Sequence, residues 1–166
     1  YKINQRKTII EDRVTEVKTP FVYVNQFGGQ DELVFDGSSL VMNGNKEVVF
    51  EAPSWEENTS VVEFNVSAKK FNDLPFEKAQ VSDLENIYMA MVIGLKDYVA
   101  KNNFPGVILG LSGGIDSAFC AAVAVDALGK DKVNAYMLPS VYTSKNSLDD
   151  AKDCAKRLEI HLDSIP

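Results

Sequence analysis

The sequence predicts an α/β protein in two parts, a strand-rich first third followed by strands and helices that alternate into a parallel sheet. Three observations carry this. Short runs of strand formers punctuated by glycine fill positions 21–66. One long helical stripe begins at Ser82, and from Val107 onward apolar strands are separated by short helices, the pattern of βαβ units.

The elements follow in chain order. Residues 4–18 read as a helix with Ile9, Ile10, Val14 and Val17 apolar, ended by Thr19-Pro20. Phe21-Val22-Tyr23-Val24 is a continuous apolar run, expected in the buried middle of a sheet, and Gly28-Gly29 breaks it. Leu33-Val34-Phe35 forms a second strand, closed by Asp36-Gly37. A hairpin follows, from Leu40 to Met42, through a turn at Asn43-Gly44, to Glu47–Glu51. Ser60 to Val66 alternates, with Val62, Phe64 and Val66 on one face. Residues 67–81 lose all periodicity and are the expected linker between parts 1–66 and 82–166. Ser82 and Glu85 then form a capping box. Leu84, Ile87, Tyr88, Met91, Leu95, Tyr98 and Val99 make an apolar stripe read as core. Strands are expected at 107–111, 133–138 and 160–165, with helices at 118–128 and 148–158.

The chain has 166 residues, 45% hydrophobic and 25% charged, enough for a sizeable core. Seventeen Lys and Arg against 24 Asp and Glu leave a net charge of −7, which argues against a nucleic-acid or anionic-membrane surface. No apolar run approaches the ~18 residues of a membrane span. Cys120 and Cys154 are too few for a disulfide framework and fit a reducing, cytoplasmic setting. With His161 as the one histidine they match no zinc spacing. Because the chain starts at Tyr1 and stops just after a third parallel strand, it is expected to be part of something longer.

The chemistry lies in Gly110-Leu111-Ser112-Gly113-Gly114-Ile115-Asp116-Ser117, between a strand and a helix, where open α/β sheets bind phosphate. Adjacent glycines let backbone N–H groups converge on an anion, and Ser112 and Ser117 add hydroxyls. The Walker A pattern needs Gly-Lys-Ser/Thr at the helix entry, where Ile115, Asp116 and Ser117 stand, so this loop is different. An aspartate beside a phosphate is repelled unless a cation lies between, so Asp116 is expected to ligate Mg²⁺. The plainer alternative is a tight turn with Asp116 capping the helix. Elsewhere the plain reading is preferred: Asp31-Glu32 as a structured turn, Trp55 as a packing residue, His161 as structural, and Lys69-Lys70 as solvated.

Ser112-Gly113-Gly114-Ile115-Asp116-Ser117 resembles the pyrophosphate loop of ATP pyrophosphatases. Residues 107–125, with Met137–Ser144 and Ser147–Ala151, resemble the synthetase domain of the NAD synthetase family, although Val141 departs from the basic or polar residue of that pattern. Tyr23-Val24-Asn25-Gln26 through Gly28–Gly37 resembles the late part of the nitrilase-like glutaminase domain fused to its glutamine-dependent members. The resemblance implies the end of a nitrilase-like α/β sandwich followed by the first half of a Rossmann-like sheet of the adenine nucleotide α-hydrolase type. It implies amidation of deamido-NAD through an adenylate, with ATP and Mg²⁺, ammonia drawn from glutamine, and a homo-oligomer. It places the phosphate cradle at Ser112, Gly113, Gly114 and Ser117, the metal on Asp116, and the nucleotide edge at Pro139 and Ser140. No residue matches a glutaminase catalytic group. A nitrilase-type amidohydrolase leaves the phosphate loop unexplained, a GMP synthetase-like enzyme lacks the 28–37 block, and a non-catalytic interaction segment rests only on incompleteness.

Overall fold

A computed structural model of the chain describes residues 2–76 and 81–165, so residues 77–80 of the expected linker lie outside the described residues. The chain divides into two compact units, Tyr1–Gly28 with Val34–Ala90, and Gly29–Leu33 with Met91–Pro166.

The first unit opens with α1 (Lys2–Val17) and continues through β1 (Phe21–Tyr23), β4 (Leu40–Met42) and β5 (Val48–Glu51), paired antiparallel in the order β1-β4-β5. Helix α1 presents Ile10 and Val14 to the sheet, where they pack with Leu40, Met42, Phe21, Tyr23 and Val48. Ile9 and Val17, the other members of the expected stripe, remain exposed. Arg6 binds Asp36 at 2.7 Å, both side chains 15% exposed, and its guanidinium lies over the Tyr23 ring. Lys7 reaches Glu51 at 2.8 Å. Two polar ties thus fix the rotation of an otherwise weakly amphipathic helix.

The β4–β5 hairpin forms as expected, its turn closed by Asn43 N–H to the Glu47 carbonyl, with an irregularity between Val41 and Met42. Run 21–24 differs from expectation: β1 lies at the edge of its sheet, and Val22 and Val24 face solvent. Gly28-Gly29 does not break a strand either, since β2 (Phe27–Gln30) runs through both and pairs with β3 (Leu33–Asp36). Glycine is needed there for room: a Cβ on Gly29 meets Asp97 Cβ and Gly94 Cα at 3.2 Å. Asp31-Glu32 is the turn between β2 and β3, with Asp31 at φ 51°. Of the alternation at 60–66 only β6 (Phe64–Asn65) is strand, paired with β7 (Lys70–Phe71), and Val61 and Val66 are exposed. Trp55 packs half-buried and donates from Nε1 to Asn86.

Helix α2 (Asp83–Lys101) begins as expected, with Ser82 Oγ accepting from the Glu85 N–H. Its buried residues are Val92, Ile93 and Val99, whereas Leu84, Ile87 and Tyr98 of the expected core stripe are exposed. The covered face takes in the stripe's Leu95 and Val99 and extends to Val92 and Ile93, which lie outside it.

The second unit holds β8 (Val107–Gly110), α3 (Ile115–Leu128), β9 (Val133–Met137), α4 (Lys145–Leu158) and β10 (His161–Ser164). The three strands are parallel in the order β10-β9-β8, as the βαβ pattern requires. Central β9 alternates, with Val133, Ala135 and Met137 buried against Ala121 and Ala124 of α3 and Ala151 and Ala155 of α4. Alanines on both helices let them lie close over the sheet.

Candidate functional site

The loop after β8 is fixed at its start and at its bend. Leu111 is buried, and its N–H donates to the Tyr136 carbonyl of β9 at 2.9 Å, which carries the β8–β9 ladder one residue beyond the strand. Gly113 takes φ +80°, and a Cβ there would stand 2.2 Å from the Ser147 carbonyl oxygen in α4. Only glycine satisfies both conditions. Gly114 is the extended N-cap of α3 and makes no side-chain cap bond. Asp116 therefore does not cap the helix; it sits exposed in the first turn, where a helix's leading N–H groups have no internal partners.

The two serines brace the loop from within. Ser117 Oγ donates to the Gly114 carbonyl at 2.9 Å and accepts from the Ser112 N–H at 3.2 Å. The serine oxygens are 3.1 Å apart, and Ser112 Oγ accepts from the Gly114 N–H at 3.3 Å. An anion arriving here meets a loop already shaped, with the N–H groups at the start of α3 facing it.

A cleft of about 520 Å³ opens at the carboxyl ends of β8 and β9. It gathers Gly110, Leu111 and Ser112 with Pro139, and adds Tyr136, Tyr142, Thr143, Ser144 and Ser147, which sequence reasoning had not singled out as site residues. Their signal was present: a polar run directly after a parallel strand falls where such sheets bind ligands. Ser140 instead ties its own turn, its N–H donating to Thr143 Oγ1 at 2.9 Å and its Oγ accepting from the Tyr142 N–H. Gly113, Gly114 and Ile115 line a second cleft between α3 and α4, of about 490 Å³. Cys154 also lines it. Burial, and then the charge of Asp153, push this thiol up, so it is protonated at neutral pH and poorly nucleophilic. His161 meets the Tyr136 ring edge-on.

Among the described residues no three His, Cys, Asp or Glu side chains gather to hold a metal. Asp116 fits a looser kind of site, in which one or two carboxylates share Mg²⁺ with ligand phosphates and water.

A parallel sheet whose first strand passes through a glycine–serine turn into a helix, with a cleft at the strands' carboxyl ends, is the architecture of the open α/β domains, a class in which ligands bind at that edge. Residues 87–166 match the sequence model of the NAD synthase family. Over 99% of its length the chain is 45% identical to a glutamine-dependent NAD(+) synthetase of Rhodobacter capsulatus, covering 30% of that protein. To the corresponding synthetase of Acinetobacter baylyi it is 42% identical over 96% of its length, covering 29%. The solved structure of the glutamine-dependent NAD+ synthetase from Acinetobacter baumannii in complex with ADP superposes with TM-score 0.89 at 42% identity, over 98% of this chain and 31% of that one. The chain thus spans about 30% of the length of the relatives it matches, and its fold is that of the corresponding part of an NAD synthetase.

Proposed function

We propose that this chain is the domain-junction segment of a glutamine-dependent NAD synthetase, an ATP-dependent carbon–nitrogen ligase. Residues 1–66 are the C-terminal part of its nitrilase-like glutaminase domain, 67–81 the connection, and 82–166 the N-terminal part of its synthetase domain. The observation that carries the reading is the glycine–serine turn at 112–117, braced by its own hydrogen bonds and opening a helix. The Acinetobacter baumannii relative, solved in complex with ADP, supports the use of an adenine nucleotide.

In the reaction, the nicotinate carboxylate of deamido-NAD attacks the α-phosphorus of ATP, and the bond to pyrophosphate breaks. Ammonia from glutamine then attacks the acyl carbon of the adenylate, AMP leaves, and the ammonium proton passes to solvent. The loop's share of the work is to hold the leaving pyrophosphate. Gly113 and Gly114 admit it close to the backbone, the first N–H groups of α3 face its charge, and Ser112 and Ser117 keep the turn from collapsing. Pro139 and Ser140 mark the nucleotide edge at the end of β9. Asp116 would hold Mg²⁺, which when bound offsets the charge of the phosphates. The enzyme is cytoplasmic and homo-oligomeric in this reading. Exposed Leu84 and Ile87 on α2 suit a subunit contact, and among the described residues no helix is long and apolar enough to cross a membrane.

The test is a product assay on the full-length protein given Mg-ATP and deamido-NAD, with glutamine and then with ammonia. AMP, pyrophosphate and NAD are expected from both nitrogen sources. Asp116→Ala is expected to abolish synthesis from either source while glutamine hydrolysis persists. ADP and phosphate as products, or turnover independent of deamido-NAD, would sink the reading.

A further inference from the structure

The wall against which the phosphate loop is built belongs to another helix. The ideal Cβ of Gly113 lies 2.2 Å from the Ser147 carbonyl oxygen and 2.9 Å from both its carbonyl carbon and its Cα. The bend of the loop and the first turn of α4 are therefore in direct backbone contact. That turn is held by one side chain: Ser144, the N-cap in extended conformation, accepts from the Ser147 N–H at 3.1 Å. The two hydroxyls lie a further 2.9 Å apart. The same two serines line the cleft that Ser112 enters.

We infer that Ser144 is a positioning residue for the phosphate loop: by capping α4 it holds the Ser147 backbone against Gly113 and so sets the loop's anion-binding shape. An uncapped first turn frays, because its N–H groups lose their acceptor. Fraying moves the Ser147 carbonyl away from Gly113 and removes the surface that keeps the left-handed bend in place. The cost should therefore appear in binding of the phosphate chain at the loop. This rests on the proposed ligase reading for its ligand.

The experiment is calorimetric binding of inorganic pyrophosphate and of ATP to the full-length protein, beside the KM for ATP. Ser144→Ala is expected to weaken pyrophosphate binding and raise the ATP KM by up to about fivefold, the stability cost of a lost helix cap carried into binding, with little change in kcat. Ser144→Asn caps without a hydroxyl, so it is expected to restore both values. Unchanged pyrophosphate affinity in Ser144→Ala, whatever its thermal stability, would overturn the role. So would rescue by Ser144→Thr together with failure of Ser144→Asn, since the hydroxyl would then be touching the ligand itself. Failure of the wild-type protein to bind pyrophosphate at all would instead remove the ligase reading, and this inference with it.

Discussion

The sharpest test of the loop is a single methyl group. In Gly113→Ala the new Cβ must occupy a position 2.2 Å from the Ser147 carbonyl oxygen, with the backbone at φ +80°. The wrong-handed backbone costs about 1–2 kcal/mol, and overpacking a close contact adds about 1–3 kcal/mol. At about 1.4 kcal/mol per factor of ten, the combined ~2–5 kcal/mol predicts a fall of at least thirtyfold in kcat/KM for ATP. The assay is ammonia-dependent NAD formation by the full-length protein at saturating deamido-NAD. Gly106→Ala supplies the comparison. Its Cβ would stand 2.3 Å from the Lys132 carbonyl oxygen, an equal clash, but just before β8 begins, at the other end of the strand from the phosphate loop. Gly106→Ala should lower Tm while kcat/KM stays within about threefold. If Gly113→Ala kept near-wild-type kcat/KM, or if Gly106→Ala lost as much, the loop's shape would not be what catalysis depends on.

Two further predictions concern stability. Glu159 ends α4 at φ 55°, its N–H bonded to the Ala155 and Lys156 carbonyls, and Ile160 N–H also returns to Ala155, so Glu159→Gly is expected to raise Tm by a few degrees in a thermal scan. The substitution forfeits the ion pair with Lys130, whose hydrogen bond and charge hold the Glu159 carboxyl below its ordinary range. That contribution is present at neutral pH and disappears as pH falls through the depressed pKa, so the variant's advantage should widen in acid; an advantage that narrows there would refute the assignment. In the first unit, Arg6→Ala leaves Asp36 with Asn25 alone in a largely buried place, and removes the cation over Tyr23. A loss of about 3 kcal/mol is expected from urea unfolding of that unit, and a loss below ~0.5 kcal/mol would mean that water already carries the pair.

The parts of the molecule that sequence reveals are those governed by local chemistry. The β4–β5 turn falls where Asn43-Gly44 marks it, although Lys46 rather than Gly44 takes the left-handed backbone, and the start of α2 is set by Ser82. The alternation of strand and helix sufficed for a parallel sheet. What sequence misplaced depends on what lies opposite. The stripe on α2 was real in part: its Val99 is buried and its Leu95 packs on the core, but Leu84, Ile87 and Tyr98 are exposed, while Val92 and Ile93, outside it, are buried. Phe21–Tyr23 carries a central strand's composition but has a single strand neighbour, β4, among the described residues. Gly28-Gly29 has the composition of a break and serves as a strand, because its demand for small residues comes from Gly94 and Asp97, far along the chain. The cleft's outer wall went unremarked for the same reason: Ser144 and Ser147 look like ordinary capping residues until Gly113 is seen against them.

The contrast between the two sheets carries into the order in which the protein is made. In the β1-β4-β5 sheet, the β4–β5 hairpin joins neighbours in sequence, Val41 with Phe50, across a tight turn. In the parallel sheet of the second unit each strand pairing spans a whole helix, Val107 with Val133 and Asn134 with His161. Closing those loops costs entropy before any contact repays it. On the ribosome the hairpin can form while the rest is still in the tunnel, whereas β9, the centre of the nucleotide half, finds its last partner only after His161–Ser164 has emerged. The buried Val133, Ala135 and Met137 of β9 thus emerge before β10 can close their second edge, an interval in which slow synthesis leaves apolar strand surface open to aggregation.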